Sequence, residues 1–165
     1  MTEIILIAHN LRSTHNVGSL LRTAEGLGID EVVLTGYTPY PSQIHDNRLP
    51  HIMQKLDKQI TKTALGAEKQ IAWRHEPDIE TLISNLKKQG YVIAAIEQTP
   101  DSTRLPDYKA PNKVAIIVGR EVEGLETEVL ESCDLCLEIP MFGKKESFNV
   151  VQAAAMALYQ LRFSS

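Results

Sequence analysis

The sequence predicts an α/β fold: a mostly parallel sheet flanked by helices, held in one domain over residues 1–165. Three observations predict it. Short apolar runs alternate with longer amphipathic stretches along the chain, as in βαβ units. The runs are β-branched and unbroken, the mark of strands covered on both faces. A length of 165 residues buries one core and leaves no room for a second.

Ile4–Ala8 reads as the first strand. A polar stretch, His9 to Asn16, leads into a helix with Val17, Leu20, Leu21, Ala24 and Leu27 on one face, for which Asn16 is a good N-cap and Gly28 a natural stop. Val32–Leu34 is the next strand, ended by Gly36. From Tyr37 to Gly66 the pattern weakens, broken by Pro39, Pro41 and Pro50, so an irregular functional segment is expected. Ile71–Trp73 is a short strand, and Ile79, Leu82, Ile83 and Leu86 mark an amphipathic helix stopping near Gly90. Tyr91–Ile96 is a strand, and Gln98–Pro111, with three prolines, a loop. Lys113–Val118 is the strongest strand signal. A helix over Glu126–Ser132 and a strand over Leu135–Ile139 follow. The loop Pro140–Glu146 opens a final helix, Ser147–Phe163, apolar nearly all round and alanine-rich, which suits a buried helix or a subunit interface.

Composition narrows the function classes. Hydrophobic residues at 43% and charged residues at 23% are ordinary for a globular protein. No run approaches the roughly 20 apolar residues of a membrane helix. No export leader is visible at the start, so a cytoplasmic protein is expected. A net charge of −4 argues against a broad basic surface that binds nucleic acid by charge alone, so a nucleic-acid partner would need a local patch, a dimer or a helper. Cys133 and Cys136 form a lone CxxC in an apolar run, without the further ligands zinc requires, and read as small strand hydrophobes. The five histidines are scattered and read as surface or loop residues.

In parallel sheets ligands gather at the carboxyl ends of strands, which directs attention to the segments after Ala8, Val118 and Ile139. The nucleotide motifs fail there. Gly26-Leu-Gly28 ends a helix instead of following a strand. Gly119-Arg-Glu-Val-Glu-Gly124 follows a strand but lacks the P-loop Lys, and Glu121 and Glu123 would repel a triphosphate. A glycine-flanked loop bearing carboxylates suits a neutral or cationic cofactor.

Three segments in order, Asn10-Leu-Arg-Ser-Thr-His-Asn-Val-Gly-Ser-Leu-Leu-Arg-Thr-Ala, Ile117-Val-Gly-Arg-Glu-Val-Glu-Gly-Leu and Ile139-Pro-Met-Phe-Gly-Lys-Lys-Glu-Ser-Phe-Asn-Val, resemble the signature motifs of the SpoU (TrmH-like) RNA ribose methyltransferases of the SPOUT superfamily. The resemblance spans essentially the whole chain. It implies a C-terminal deep trefoil knot, which general topology rules would have rejected. It also implies S-adenosylmethionine as methyl donor, a homodimer with sites at the interface, no membrane, and transfer to a 2′-hydroxyl of tRNA or rRNA. No separate RNA-binding extension accompanies the motifs.

Carried over by that resemblance, the catalytic set is Arg22, Asn16, Glu121, Ser147 and Asn149. The donor site is Val118, Gly119, Gly124, Ile139, Pro140, Met141, Gly143 and Ser147. Phe148 and Val151 stand where Leu and Ser are common in the family. Arg12, Arg48, Lys55 and Lys58 are candidate RNA contacts. Because arginine is effectively always protonated, Arg22 is expected to clamp an RNA phosphate rather than act as a free base, unless a bound phosphate draws off its proton. The plain alternative for Arg22 is an ion pair with Glu25 on the helix surface, and for Asn16 and Ser147 a helix cap. Asn149, expected inside the first helical turn, is a poor helix former there and so points to function. Three other readings stay open: a catalytically silent RNA-binding module on the same scaffold, a base-methylating relative, and a nucleotide-dependent enzyme.

Overall fold

A computed structural model describes residues 1–164. Strands β1 (Glu3–His9), β2 (Glu31–Thr35), β3 (Trp73–Glu76), β4 (Val92–Ile96), β5 (Thr103–Arg104), β6 (Lys113–Val118) and β7 (Leu135–Glu138) form one sheet in the order β3-β2-β1-β6-β4-β7-β5. Every pairing in it is parallel. Helices α1 (Thr14–Gly26), α2 (Pro50–Ala64), α3 (Ile79–Lys88), α4 (Thr127–Ser132) and α5 (Val150–Phe163) cover its faces. The expected α/β class is the observed one.

Strand alternation splits the core into two layers. Ile4, Leu6, Ala8, Val32, Leu34, Val114, Ile116 and Val118 point to one face, where α1 and α5 bury Leu20, Leu21, Ala24, Ala157, Leu158 and Leu161. Ile5, Ile7, Val33, Ile93, Ala115 and Ile117 point to the other, against Leu82, Ile83 and Leu86 of α3 and Val129 of α4. Register locks this partition: Ile4 lies opposite Val114 and Leu6 opposite Ile116, so a one-residue slip would turn both layers inside out.

Several boundaries differ from expectation. The N-cap of α1 is Ser13, whose side chain accepts from Asn16 N, so Asn16 sits inside the first turn. The segment Tyr37–Gly66 contains a 15-residue helix, α2, which the prolines concealed. Pro50 stands at the first helical turn, where its missing N–H is harmless, and Ile60 and Ala64 recur at helical spacing to meet α1. The two helices touch at Gly18, where any Cβ would collide with the Thr63 side chain and the Ile60 carbonyl. The third strand lies at 73–76 instead of 71–73. The proline-rich loop after β4 carries β5 and a 3-10 turn, Leu105–Asp107. Helix α5 begins at Val150, not Ser147, and its N-cap is Asn149, whose side chain accepts from Val151 N at 2.9 Å. The residue expected to point to function from inside the helix is therefore the cap. Helix α5 is also less enclosed than its composition suggested: Tyr159 and Phe163 stay exposed.

Strand β7 lies between β4 and β5, both earlier in the chain, and α5 then returns to pack on α1, β1 and β4. Arg162, near the end of α5, donates from Nη1 to Thr2 O at 2.9 Å and from Nε to Leu27 O at 3.2 Å, tying the helix to the opposite end of the chain. Cys133 and Cys136 are free thiols packed on the α3–α4 layer, and burial pushes the Cys133 thiol up to about 12. Among the described residues no helix is long and apolar enough to cross a membrane.

Candidate active site

The loops leaving β1, β4, β6 and β7 converge at the carboxyl edge of the sheet, where the strand order changes direction. The β6–α4 loop is the organiser. Gly119 packs so closely on Leu125 that a side chain there would clash, and Gly124 adopts φ +70°, a left-handed conformation that favours glycine. Arg120 Nε donates to Gly124 O at 3.0 Å and closes the loop on itself.

Closure points Glu121 toward the β1–α1 loop. Its carboxylate accepts from Ser13 N at 3.3 Å, Arg12 N at 3.5 Å and Asn16 Nδ2 at 3.3 Å. Burial alone would raise its pKa, but these donors and its own backbone N–H outweigh burial and hold it below the usual carboxylate range. Arg12 also pairs with Glu123 at 3.5 Å.

Beside this loop opens a cleft. Its lining includes Val118 at the end of β6, Gly119, Glu121 and Gly124 from the β6–α4 loop, Ile139 and Met141 after β7, and Ser147 before α5. Seven of the expected residues thus meet in one place. Pro140, Gly143 and Asn149 do not line it; Gly143 is exposed with open space around it, and Asn149 caps α5. Asn16 reaches the rim through Glu121.

Arg22 is exposed on α1 and is not part of the lining. Six residues separate it from Asn16, roughly 9 Å along the helix axis, which carries it away from the strand ends. It makes no ion pair among the described residues, so the expected alternative partner, Glu25, does not engage it.

The candidate RNA contacts divide. Arg12 and Lys55 line one shallow depression between the start of α1 and α2, together with His51 and Gln59. Lys58 is exposed on α2 outside it. Arg48 corrects the expectation. Its guanidinium bonds Asp46 at 2.6 and 2.9 Å and the Tyr40 and Pro41 carbonyls, and stacks 3.6 Å from the Tyr40 ring. It holds the loop before α2 instead of facing solvent.

Two features were not anticipated. His9 is buried, with Nδ1 2.9 Å from Thr35 Oγ1 and Nε2 3.1 Å from Asn10 Nδ2. Glu126 Oε2 lies 3.2 Å from the same Nε2, yet is assigned to no hydrogen-bond donor among the described residues. Burial lowers the His9 pKa, against the opposing pull of Glu126. The ring is therefore neutral near pH 7, with Thr35 Oγ1 at Nδ1 and Asn10 and Glu126 at Nε2. The second feature is Glu97, just past β4, whose Oε1 accepts from Leu125 N at 3.0 Å while the residue lines the cleft. Its one sequence signal is position: the first polar residue after a buried strand.

The donor set fits a flat apolar group carrying a cation. Ile96, Val118, Leu137, Ile139 and Met141 supply apolar wall, and Glu97, Glu121 and Glu123 outnumber the single cation, Arg120.

Known proteins resemble this chain in sequence and in fold. The tRNA (guanosine(18)-2′-O)-methyltransferase of Borreliella burgdorferi is 29% identical over 160 residues, covering 96% of this chain and 65% of that protein. Other curated relatives are spanned to 57% of their length, so the chain corresponds to little more than half of them. The A. aeolicus TrmH/SpoU tRNA modifying enzyme superposes with a TM-score of 0.80 at 20% identity, over 98% of this chain and 75% of that one. The AdoMet-bound rRNA methyltransferase from Sinorhizobium meliloti gives 0.81 at 20% identity, over 96% and 55%. These two likenesses are of the fold. The model of the SpoU rRNA Methylase family matches residues 3–159, and the chain belongs to that family.

Proposed function

We propose that this chain is an RNA methyltransferase that uses S-adenosylmethionine to methylate a ribose 2′-hydroxyl of tRNA or rRNA, with residues 1–165 as one methyltransferase domain. The observation that carries the reading is that Glu121, bonded to Asn16, and Ser147 line one cleft whose wall is apolar and whose charge is negative. Family membership and the printed activity of the Borreliella relative support it.

When bound, S-adenosylmethionine supplies an electrophilic methyl group. The backbone of Val118, Gly119 and Gly124 and the apolar side chains of Ile139 and Met141 would hold it, with Pro140 and Gly143 shaping the loop. Glu121, ionised and fixed by three donors, keeps the β1 and β6 loops in one register, so Asn16 and Ser147 can orient the ribose. Asn149 acts through the cap that sets the start of α5 beneath Ser147.

Arg22 lies outside the cleft of its own chain, and a second copy supplies it in this reading. The exposed Tyr159 and Phe163 of α5 support a homodimer, in which Arg22 clamps the RNA phosphate as a permanent bidentate cation. Arg12 and Lys55, with Lys58 beyond, would guide the RNA backbone toward the mouth. The C-terminal trefoil knot belongs to the same proposal, supported by the insertion of β7 between β4 and β5 and the return of α5 under β4. So does a cytoplasmic site of action, where such RNAs reside. The distance of Arg22 from the cleft also favours a binding-only module, and turnover separates the two.

Calorimetric titration tests the donor site. Saturable binding of S-adenosylmethionine and its demethylated product is expected, and indifference to both would sink the reading.

A further inference from the structure

Glu97 is not among the residues that the family motifs bring to the cleft, yet its carboxylate is built into the cleft wall. It leaves the carboxyl end of β4, the strand hydrogen-bonded to β6 on one side and β7 on the other. Its Oε1 accepts from Leu125 N at 3.0 Å, which anchors the far end of the β6–α4 loop to β4. Gly124 makes room for it: a Cβ at that position would run into the Glu97 carboxylate. The side chain is half-buried and makes no ion pair among the described residues. Its other oxygen, Oε2, has no hydrogen-bond donor among them either.

An ionised carboxylate only accepts, and Oε2, which keeps some solvent exposure and has no donor among the described residues, is free to accept from a ligand. A sulfonium carries no donor hydrogen, so charge attraction alone would leave Oε2 unbonded. Ile96 and Val118, beside Glu97 in the lining, are apolar and suit the flat face of an adenine, which places the attached sugar within reach of the strand end. An acidic side chain just past a parallel strand, next to a glycine-bounded loop, is the arrangement by which other α/β pockets read a ribose diol. We propose that Glu97 is a ribose-reading residue of the donor site, its Oε2 accepting a hydrogen bond from the 2′- or 3′-hydroxyl of the donor's adenosine. The inference rests on the S-adenosylmethionine reading above.

The test uses the whole protein and binding, without turnover. Glu97→Gln keeps an oxygen for Leu125 N, so its melting temperature should match the wild type, whereas Glu97→Ala should melt lower. Calorimetry then compares S-adenosylhomocysteine, 5′-methylthioadenosine and the 2′- and 3′-deoxy forms of the latter. The wild type should bind 5′-methylthioadenosine about tenfold more tightly than one of its deoxy forms, the worth of one charge-assisted hydrogen bond. Glu97→Gln should bind S-adenosylhomocysteine and 5′-methylthioadenosine about tenfold more weakly and lose most of that preference. If Glu97→Gln discriminates against the deoxy forms as strongly as the wild type, the assignment is wrong. If it weakens S-adenosylhomocysteine but not 5′-methylthioadenosine, the carboxylate serves the amino-acid end and the assignment is again wrong. A wild type that binds none of these ligands would overturn the donor site and Glu97's role together; binding with an unchanged deoxy preference would overturn only the latter.

Discussion

Asn16 donates from its side-chain amide to the Glu121 carboxylate at 3.3 Å, joining the first turn of α1 to a loop 105 residues on in the chain. The same carboxylate accepts from Ser13 N, the N-cap of α1. One charged group thus fixes both the start of a helix and the mouth of the cleft. Glu121→Ala should lower methyl transfer by about a hundredfold, the scale of losing a preorganised charge at a reacting centre. Glu121→Gln, which keeps one acceptor but not the charge, should fall between. Single-turnover rates with saturating donor check this. Wild-type rates in Glu121→Ala would show the contact to be structural only.

Arg22 stands apart from the cleft of its own chain. If a second copy supplies it, a heterodimer of one Arg22→Ala and one Glu121→Ala subunit should carry about half of the wild-type sites, because one of its two hybrid sites is intact. Activity after co-expression and purification of the heterodimer measures this. No recovery would place Arg22 and Glu121 in the same chain's site, and wild-type activity of Arg22→Ala alone would put Arg22 outside catalysis.

His9 gives the fold a pH dependence with a defined sign. Burial, only partly opposed by Glu126, lowers its pKa below the ordinary 6.5. Between that value and the lower native one the unfolded chain binds more protons, so its contribution is full above about pH 7 and is lost as pH falls through 6.5 toward the native pKa. The wild type should therefore lose more melting temperature than His9→Gln between pH 7 and pH 5.5. Parallel curves would contradict the assignment of a buried neutral ring.

Much of the architecture was readable from local pattern. Lys113–Val118 is legible to the residue because a short β-branched run ending at a glycine suits a buried strand and is too short for a helix. The cleft loops were found because they follow buried strands. What escaped depended on distant partners. Helix α2 hid behind Pro50, which reads as a breaker until its place at the helix start is known. Asn149 and Ser147 are both good caps, and only the backbone shows that Asn149 holds the position. His9 is buried because Thr35, 26 residues on, and Glu126 close over it, and no local window contains either. Arg48 was expected at RNA, but Tyr40 and Asp46 fold a loop around it.

The most direct measurement of the central claim maps the methyl group. The purified protein would be incubated with S-adenosylmethionine bearing an isotopically labelled methyl and with tRNA and rRNA from cells lacking its gene. The RNA would then be digested to nucleosides for mass spectrometry. A labelled methyl on the ribose 2′-oxygen of one nucleoside is expected, formed about a hundredfold more slowly with Glu121→Ala. Label on a base atom, or none on either RNA from a protein that binds the donor, would contradict it.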